Sequence, residues 1–308
     1  MEKIAYVFPG QGSQAVGMLA DLAAEHEVVG QTFAEASEVL GYDLWQLVQE
    51  GPAESLNQTD KTQPALLTAS VAIWRAIQAT SASKPALLAG HSLGEYSALV
   101  CAGVIDFKDA VKLVELRGQL MQQAVPAGTG AMFAIIGLDN DGIAKACEEA
   151  AQGEVVAPVN FNSPGQVVIA GEKAAVERAA DACKAAGAKM AVALPVSVPS
   201  HCQLMKPAAD ELAKALDALS FSAPSIPVVN NVDVAMPESV EAIKDALVRQ
   251  LYCPVRWSET VEKMAAEGVS QLVEVGPGKV LTGLAKRINK SLSAKVANDP
   301  ASVAALGE

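Results

Sequence analysis

A serine between two glycines is the feature of this sequence that points most directly to chemistry. Residues 90–94 read Gly-His-Ser-Leu-Gly, which matches the G-x-S-x-G nucleophile elbow, a sharp strand-to-helix turn that exposes a serine hydroxyl. The context fits, because residues 85–89 predict a buried strand and residues 95–101 predict a helix, with Gly103 suited to its end. The two glycines are expected where side chains would collide with neighbouring backbone. We therefore predict that Ser92 is a nucleophile, with a plain glycine-rich turn as the alternative.

A serine hydroxyl needs a base to become a nucleophile at neutral pH, and the chain has only three histidines. His26 lies in a charged helical stretch and is most simply a surface residue. His91 adjoins Ser92, so its side chain should diverge from the serine, and we expect a structural role in the elbow. His201 lies where the chain leaves its middle segment, and clefts form at such junctions. His201 is therefore the predicted base, with a buried structural histidine as the alternative.

Three other patterns carry less chemical information. Cys202 follows His201 directly, but adjacent side chains on an extended segment face opposite ways, so we interpret it as a packing residue. Residues 276–280 (Gly-Pro-Gly-Lys-Val) do not match the Walker A phosphate loop, and a tight strand-to-helix turn is expected there. His91 and Glu95 share helical spacing without a third ligand, so no metal site is predicted.

Strands that alternate with helices must position these residues. The alternation predicts an α/β fold with a mostly parallel sheet. Because the serine elbow is typical of α/β hydrolases, we expect an α/β-hydrolase-like core. The first predicted strand ends in a loop rich in turn residues, 9–14. The predicted elements are strands at 4–8, 226–232 and 271–275, helical patterns over 19–48 (broken at its glycines) and 65–79, and helices at 238–251 and 279–290.

The middle of the chain follows a different order of elements. The order is β-α-β-β-α-β, which is the ferredoxin-like signature. We therefore predict a ferredoxin-like subdomain over residues 128–197, inserted into an α/β catalytic core formed by residues 1–127 and 198–308. The predicted elements are strands at 131–138, 155–161, 166–170 and 189–196, and helices at 139–151 and 172–186.

Composition argues against several classes of protein. The chain has 35 acidic and 23 basic residues, a net charge of −12, so nucleic acid is not an expected partner. The N-terminal residues lack a signal-peptide pattern and no apolar run is long enough to span a membrane, so we expect no membrane partner and a cytoplasmic location. The five cysteines are widely spread and include no C-x-x-C pair, which indicates neither a disulfide framework nor a zinc site.

A series of motifs across the chain resembles one enzyme family. In this order they are similar to the malonyl-CoA:acyl carrier protein transacylases of bacterial fatty-acid synthesis, and such a series is far more specific than any single motif. The resemblance runs from residue 4 to about 283 and implies a free-standing enzyme, not a module of a megasynthase. The motifs are Phe-Pro-Gly-Gln-Gly-Ser-Gln at 8–14, Thr-Gln-Pro-Ala at 62–65, Gly-His-Ser-Leu-Gly-Glu-Tyr at 90–96, Arg117, Asn-Ser-Pro-Gly-Gln at 162–166, His201, Gln250 and Gly-Pro-Gly at 276–278.

The resemblance implies catalytic roles for the matched residues. Ser92 would attack a thioester and carry the acyl group as an ester, while His201 would take the serine proton and then protonate the departing thiolate. The backbone N–H groups of Gln11 and Leu93 would form the oxyanion hole. Gln250 would orient His201 through its backbone carbonyl. Without the resemblance, the loop that contains Gln11 is a plain tight turn.

The resemblance also implies a binding role for Arg117. From its amphipathic helical context alone, Arg117 is a surface or salt-bridging arginine. In the family this arginine pairs with the malonyl carboxylate, a bidentate contact that a guanidinium suits better than an ammonium. Gln63, Asn160 and Asn162 are candidates to line the pocket, and each is equally interpretable as a turn or capping residue. Ser200 stands where malonyl-selective polyketide-synthase relatives often carry phenylalanine, so the sequence sets no firm contrast with methylmalonyl.

The implied reaction moves a malonyl group from malonyl-CoA to the phosphopantetheine thiol of an acyl carrier protein by a ping-pong route. No cofactor is implied, because the coenzyme A thioester is a substrate, and we expect a monomer. Carrier proteins of this pathway are strongly acidic, as is this chain, so docking requires a local basic patch. Lys286, Arg287 and Lys290 are the candidates, with Lys286 and Lys290 predicted on one helix face. A helix end whose cations complement the helix dipole is the alternative.

Two other functions stay open from the sequence. A serine esterase or thioesterase would use the same elbow, but typical α/β hydrolases follow the order Ser…Asp/Glu…His, and no acid between Ser92 and His201 stands in a recognisable triad loop. An arginine that faces the acyl group also makes little sense for a neutral ester. A non-catalytic carrier-binding scaffold would not need the serine, the histidine and the elbow together.

Overall fold

The computed structural model describes residues 2–81, 84–196 and 198–307. The strands are β1 (Ile4–Phe8), β2 (Leu87–Gly90), β3 (Gly130–Ile136), β4 (Val156–Ser163), β5 (Gln166–Glu172), β6 (Met190–Ala193), β7 (Val228–Val229), β8 (Gln271–Val275) and β9 (Ser293–Ala297). The helices are α1 (Ala20–Glu25), α2 (Glu27–Leu40), α3 (Leu44–Glu50), α4 (Ala53–Leu56), α5 (Thr59–Thr80), α6 (Gly94–Cys101), α7 (Phe107–Ala124), α8 (Asn140–Ala151), α9 (Lys173–Ala185), α10 (Lys206–Asp217), α11 (Val240–Gln250), α12 (Trp257–Ala266), α13 (Val280–Ile288) and α14 (Pro300–Ala304), with a 3-10 helix at Gln203–Met205.

A five-stranded parallel sheet, here called sheet A, forms the centre of the molecule, in the order β7-β2-β1-β8-β9. The register pairs Phe8 with Gly90, so β1 and β2 end side by side. The loop at 9–14 and the elbow at 90–94 therefore leave the sheet at the same edge. Ligands of parallel α/β sheets bind outside this carboxyl edge. The predicted α/β fold with a mostly parallel sheet is confirmed.

Helices cover both faces of sheet A. Tyr6 and Phe8 pack into one apolar cluster with α5, α6 and α7, while Ala5 and Val7 pack into a second cluster with α12 and α13. This alternation follows from the two-residue period of a strand, and burial on both faces explains why β1 is apolar throughout. Among the described residues, no helix combines the length and apolarity needed to cross a membrane.

The middle of the chain forms a second sheet, here called sheet B, which is antiparallel and has the order β4-β5-β3-β6. Its elements follow the predicted order β3-α8-β4-β5-α9-β6. One face packs against α8 and α9. On the other face, Met132 and Val168 share an apolar cluster with the buried Cys202, as expected for a packing residue. Dividing the chain at 127/128 and 197/198 stays a prediction, and Ser197 lies outside the described residues.

One of the two helix breaks predicted at glycines is confirmed and the other is wrong. Over residues 19–48, α2 ends at Gly41, whose φ is 79°, but Gly30 lies inside α2. The other break instead occurs at His26, whose backbone is extended (φ −124°, ψ 99°) between α1 and α2. A glycine inside a helix costs only about 1 kcal/mol relative to alanine. Burial of Val29 and Phe33 on either side of Gly30 outweighs that cost.

Other element boundaries also depend on tertiary contacts. The helix predicted at 65–79 begins six residues earlier, at Thr59, and includes Pro64, although the residue before a proline is biased away from helix. The strand predicted at 226–232 is reduced to the two residues of β7, because the asparagines that follow turn to make other hydrogen bonds. Helices α10, α12 and α14 and strand β9 were not predicted from the sequence.

Candidate active site

The serine elbow joins β2 to α6 through a strained turn. Ser92 has a φ of 51°, in the left-handed region that residues with a Cβ rarely adopt. A Cβ on Gly90 would lie 1.9 Å from the carbonyl carbon of Gly94, and a Cβ on Gly94 would lie 2.1 Å from the carbonyl oxygen of Phe8. Neither position can carry a side chain without moving backbone, so the crowding predicted for the two glycines is confirmed.

Asn231, which follows β7, ties this turn to the neighbouring strand. The backbone N–H of Ser92 donates to Asn231 Oδ1 at 2.8 Å, and Asn231 Nδ2 donates to the carbonyl oxygen of Gly90 at 2.7 Å. The asparagine side chain is fully buried. Sequence reasoning missed this residue. The available signal was a pair of asparagines, Asn230 and Asn231, at the end of a predicted strand in a parallel sheet, the edge where ligand sites form.

His201 contacts the serine hydroxyl directly. Its Nε2 lies 2.7 Å from Ser92 Oγ, and its Nδ1 lies 2.6 Å from the backbone carbonyl oxygen of Gln250. A carbonyl oxygen only accepts, so Nδ1 carries the proton and Nε2 is free to accept the Ser92 O–H. Like Ser92, His201 has a left-handed backbone, with a φ of 64°. Burial and the positive charge of Arg117 lower the pKa of His201 to about 3, so the ring is neutral at physiological pH.

A cavity of about 410 Å³ opens over Ser92 and His201, which is the size of a small-molecule site. The loop at 9–14 and the elbow bound it on the side of sheet A. Met132 and Asn160 bound it on the side of sheet B. Asn160 Oδ1 is buried without a hydrogen-bond partner in the described part of the chain. The cavity therefore lies between the two sheets, with residues of both sheets in its wall.

Asn162 lies close to Asn160 on β4, but its side chain contacts His91 and does not line the cavity. Its Oδ1 lies 2.7 Å from His91 Nε2. The His91 ring also packs on Trp257, with a distance of 5.5 Å between ring centroids. His91 thus joins the elbow to sheet B, in the structural position that was expected for it. Of the three residues expected to line the pocket, only Asn160 does so, because Asn162 and Gln63 are both absent from the residues that bound the cavity.

Two backbone N–H groups near the serine are unused. The N–H groups of Gln11 and Leu93 donate to no atom of the residues that the structure describes. Gln11 bounds the same cavity as Ser92, and Leu93 follows Ser92 directly. The two loops are in close contact, because a Cβ on Gly10 would lie 2.5 Å from the His91 carbonyl oxygen. The arrangement leaves two donors free for an oxygen that carries negative charge.

Arg117 is almost completely buried, with 1% of its surface exposed, so it is not a surface arginine. Its Nη1 donates to Gln63 Oε1 at 2.8 Å and its Nη2 donates to Gln250 Oε1 at 2.9 Å, while the guanidinium carbon lies 5.3 Å from the centre of the Tyr96 ring. Across the described ranges, no carboxylate lies within ion-pair distance of Arg117. Burial lowers its pKa. A buried cation with neutral partners has unused capacity to bind an anion.

Glu95 is a second buried charged group, and sequence reasoning considered it only as a metal ligand. Its Oε2 accepts hydrogen bonds from Gln250 Nε2 and from the backbone N–H of Asn231, both at 3.0 Å. Burial raises the pKa of Glu95 to about 7, although these two hydrogen bonds and Arg117 oppose the rise. Gln250 therefore does more than supply a carbonyl, because its side chain connects Arg117 to Glu95.

Known proteins are similar to this chain along almost its whole length. The sequence matches the acyl transferase domain over residues 5–307. It is 69% identical over 305 residues to the malonyl CoA-acyl carrier protein transacylase of Escherichia coli (strain K12), and the match covers 99% of each chain. The chain belongs to the family of malonyl CoA-acyl carrier protein transacylases.

Solved structures of this transacylase family agree closely with the fold. The acyl carrier protein S-malonyltransferase of Vibrio cholerae is 73% identical, with a TM-score of 0.97 over 99% of both chains. A malonyl-transacylase solved in complex with its type II PKS acyl-carrier protein is 69% identical, with a TM-score of 0.98 over 99% of both chains. At this similarity, sequence and structure support the same family.

The basic residues singled out in this transacylase-family sequence lie at the end of α13. Lys286, Arg287 and Lys290 are all exposed, and Arg287 Nη1 donates to Gln166 Oε1 on β5 at 3.0 Å. The prediction that Lys286 and Lys290 share a helix face is wrong, because α13 ends at Ile288. Asn289 has an extended backbone and its side chain accepts a hydrogen bond from the Ser291 N–H, a local turn that competes with the helix.

Proposed function

We propose that this chain transfers a malonyl group from malonyl-CoA to the phosphopantetheine thiol of an acyl carrier protein, through an ester on Ser92. One observation carries the proposal: Gln250 links the hydrogen-bonded Ser92–His201 pair to Arg117, a buried cation that lacks a carboxylate partner within the described residues. The pair suits acyl transfer, and the cation suits an acyl group that ends in a carboxylate. The identity of the two substrates, malonyl-CoA and an acyl carrier protein, is inferred from the names of the relatives.

In the first half-reaction, Ser92 Oγ attacks the thioester carbonyl carbon. Its proton passes to His201 Nε2, which the low pKa of His201 keeps unprotonated beforehand. The imidazolium that forms is held by its Nδ1–H bond to the Gln250 carbonyl oxygen. This carbonyl stands where many serine enzymes use an aspartate.

The tetrahedral intermediate then has a negative oxygen that needs donors. The free N–H groups of Gln11 and Leu93 are suited to bind it, and one such donor contributes about 10²–10³ in rate. When the intermediate collapses, the carbon–sulfur bond breaks and His201 gives its proton to the departing thiolate. Ser92 is left as a malonyl ester.

The second half-reaction reverses these roles with a new thiol. The pantetheine thiol gives its proton to His201 and attacks the ester carbonyl, and the serine oxygen recovers the proton as it leaves. Both thiols enter the same cavity in turn, which makes the route ping-pong.

Selection of the acyl group rests on the residues deeper than the serine. Arg117 would bind the malonyl carboxylate, and Gln63 would hold the guanidinium through the 2.8 Å hydrogen bond to its Nη1. Asn160 would line the cavity from β4. Asn162 would act indirectly, by holding His91 in the elbow.

The proposal extends to the architecture around the site. We infer an α/β-hydrolase-like catalytic core over residues 1–127 and 198–308, with a ferredoxin-like subdomain over 128–197. The cavity between sheets A and B supports this division. No cofactor takes part in the proposed chemistry, and we infer a cytoplasmic monomer. The exposed cations Lys286, Arg287 and Lys290 are the candidate docking site for the acidic carrier.

The experiment that tests the proposal is intact-protein mass spectrometry after mixing with malonyl-CoA, followed by addition of a holo-carrier protein. We expect a malonyl adduct on Ser92 that the carrier removes, and no adduct on Ser92→Ala. An adduct that persists on Ser92→Ala would contradict the nucleophile assignment. Rapid release of free malonate without carrier would instead favour the serine esterase or thioesterase alternative.

A further inference from the structure

Arg117 and Glu95 are buried near Ser92 and can carry opposite charges, yet they do not form an ion pair. Arg117 donates to Gln250 Oε1 at 2.9 Å, and Gln250 Nε2 donates to Glu95 Oε2 at 3.0 Å. The Gln250 amide therefore stands between the guanidinium and the carboxyl group, with its oxygen towards the cation and its nitrogen towards the anion. The same Nε2 lies 3.0 Å from the Ser92 carbonyl oxygen, which connects the charges to the elbow.

This arrangement balances charge before a substrate binds. A buried cation without any counter-charge is strongly unfavourable. Glu95 supplies the negative charge, with the side-chain amide of Gln250 between it and Arg117. The balance changes when a second carboxylate contacts Arg117, because two carboxylates then share one cation. In that situation one carboxyl group holds a proton, since like charges in a buried site raise the pKa of one of them.

We propose that Glu95 is the counter-charge for Arg117 and that Glu95 takes up a proton from solvent when the malonyl carboxylate binds to Arg117. Glu95 thereby sets how the preference for malonyl over neutral acyl groups depends on pH. This inference rests on the proposed function and adds a positioning residue to it. Glu95 does not contact the reacting atoms, because its partners are Gln250 and the backbone of Asn231.

The groups around Glu95 leave it as the one that changes charge near neutral pH. The pKa of His201 is lowered to about 3 and that of His91 is also lowered, in both cases mainly by burial, while burial raises the pKa of Tyr96 to about 12. Hydrogen bonds from Arg249 hold the pKa of Asp233 below its usual value. The charged or titratable groups that interact with Glu95 are Tyr96 on its own helix α6, Arg117 on α7 and Asp233 after β7. One step further out, Arg249 on α11 pairs with Asp233, and Arg117 and His91 act on His201.

The direction of the pH effect follows from this linkage. Below the pKa of Glu95, about 7, the carboxyl group is already protonated and malonyl binds without proton uptake. Above it, each bound malonyl group requires one proton, so malonyl loading weakens by up to about tenfold per pH unit. Acetyl-CoA carries the same coenzyme A and uses the same Ser92–His201 pair but has no carboxylate. The ratio of malonyl to acetyl loading therefore isolates the linkage.

The test is single-turnover acylation of Ser92 by malonyl-CoA and by acetyl-CoA, from about pH 6 to about pH 9, a range that spans an unperturbed histidine and a raised carboxyl pKa. In the unmodified protein the malonyl-to-acetyl ratio should be flat at low pH and fall as pH rises. In Glu95→Gln the ratio should be independent of pH. The matched control is Glu274→Gln, another buried glutamate with a raised pKa, which accepts hydrogen bonds from Leu281 and Thr282 at the start of α13. In this control the malonyl-to-acetyl ratio should fall with rising pH as it does in the unmodified protein.

A second measurement keeps the inference testable if Glu95→Gln does not fold. Calorimetry of Ser92→Ala at about pH 8, one unit above the Glu95 pKa, in buffers of different ionisation enthalpy should show about one more proton taken up with malonyl-CoA than with acetyl-CoA. Equal proton uptake, a flat ratio in the unmodified protein, or an unchanged slope in Glu95→Gln would each overturn the role of Glu95. Absence of any ester on Ser92 would instead overturn the proposed function.

Discussion

The two halves of the site are built on different kinds of backbone. Ser92 and His201 both lie in turns with left-handed dihedrals, at φ values of 51° and 64°. Glu95, Arg117 and Gln250 lie within the regular helices α6, α7 and α11. The reactive pair therefore depends on local strain, whereas the charged layer beneath it depends on how three helices pack.

The strain at the reactive pair has identifiable support. A left-handed residue with a side chain costs roughly 1–2 kcal/mol, and hydrogen bonds hold both positions. The Ser92 N–H donates to the Asn231 side chain, and the His201 N–H donates to the Leu251 carbonyl oxygen at 3.0 Å. A turn of this kind lifts a side chain out of the sheet edge into the cavity, which a regular helix cannot do.

The charged layer has the opposite requirement, because a buried charge is tolerated only where its partners are fixed. Gln63 on α5 and Gln250 on α11 hold Arg117 from two sides. The turns therefore supply the groups that make and break bonds, whereas the packed helices select the acyl group. Substitutions in the two halves should therefore have different signatures.

The largest effect is expected from His201→Ala, in the strained half. Loss of the general base should lower acylation of Ser92 by malonyl-CoA and by acetyl-CoA equally, by about 10²–10⁴-fold. Single-turnover acylation rates with both thioesters measure this. His26→Ala, between α1 and α2, is the matched control and should retain the normal rates. A loss of less than about tenfold would assign the base to another group.

An intermediate and selective effect is expected from Arg117→Ala, in the charged half. Removing one partner of a buried charge pair costs about 3–5 kcal/mol, so malonyl loading should fall by at least about 10²-fold, whereas acetyl loading should be retained or rise. The malonyl-to-acetyl ratio is the measurement. Arg75→Ala, a partly exposed arginine paired with Glu35, is the control. If the loading rates with malonyl-CoA and acetyl-CoA fall by the same factor, Arg117 has a structural role only. The charged half of the site would then not select the acyl group.

The smallest effect on loading is expected from charge reversal outside both halves. In the double variant Lys286→Glu, Arg287→Glu, the KM for a carrier protein should rise by roughly tenfold and its salt dependence should flatten. The rate of Ser92 loading should be unchanged, because exposed charges are screened by solvent. Lys145→Glu with Lys184→Glu, both exposed on α8 and α9, is the matched control. An unchanged KM for the carrier protein in the double variant would show that the carrier docks on another surface.

Local sequence patterns predicted those parts of the fold that depend on neighbours along the chain. Strands β1 and β8 lie at the predicted residues, and the β2–elbow–α6 unit lies within two residues of its predicted position. The β-α-β-β-α-β order of sheet B was also predicted. Hydrophobic periodicity and turn residues act over a few positions, so each of these patterns is complete within its own segment.

Which distant side chains share the site depends instead on how the elements pack together. Asn231 meets Ser92 because β7 pairs with β2, and Glu95 meets Gln250 because α6 lies beside the end of α11. The same sequence context that makes Arg117 an ordinary amphipathic-helix arginine gives no sign that it is buried. Strand register and helix packing fix these contacts across 100 or more positions of chain, and no local pattern records them. Their physical origin is the burial of the apolar faces of sheet A, which fixes where each helix packs.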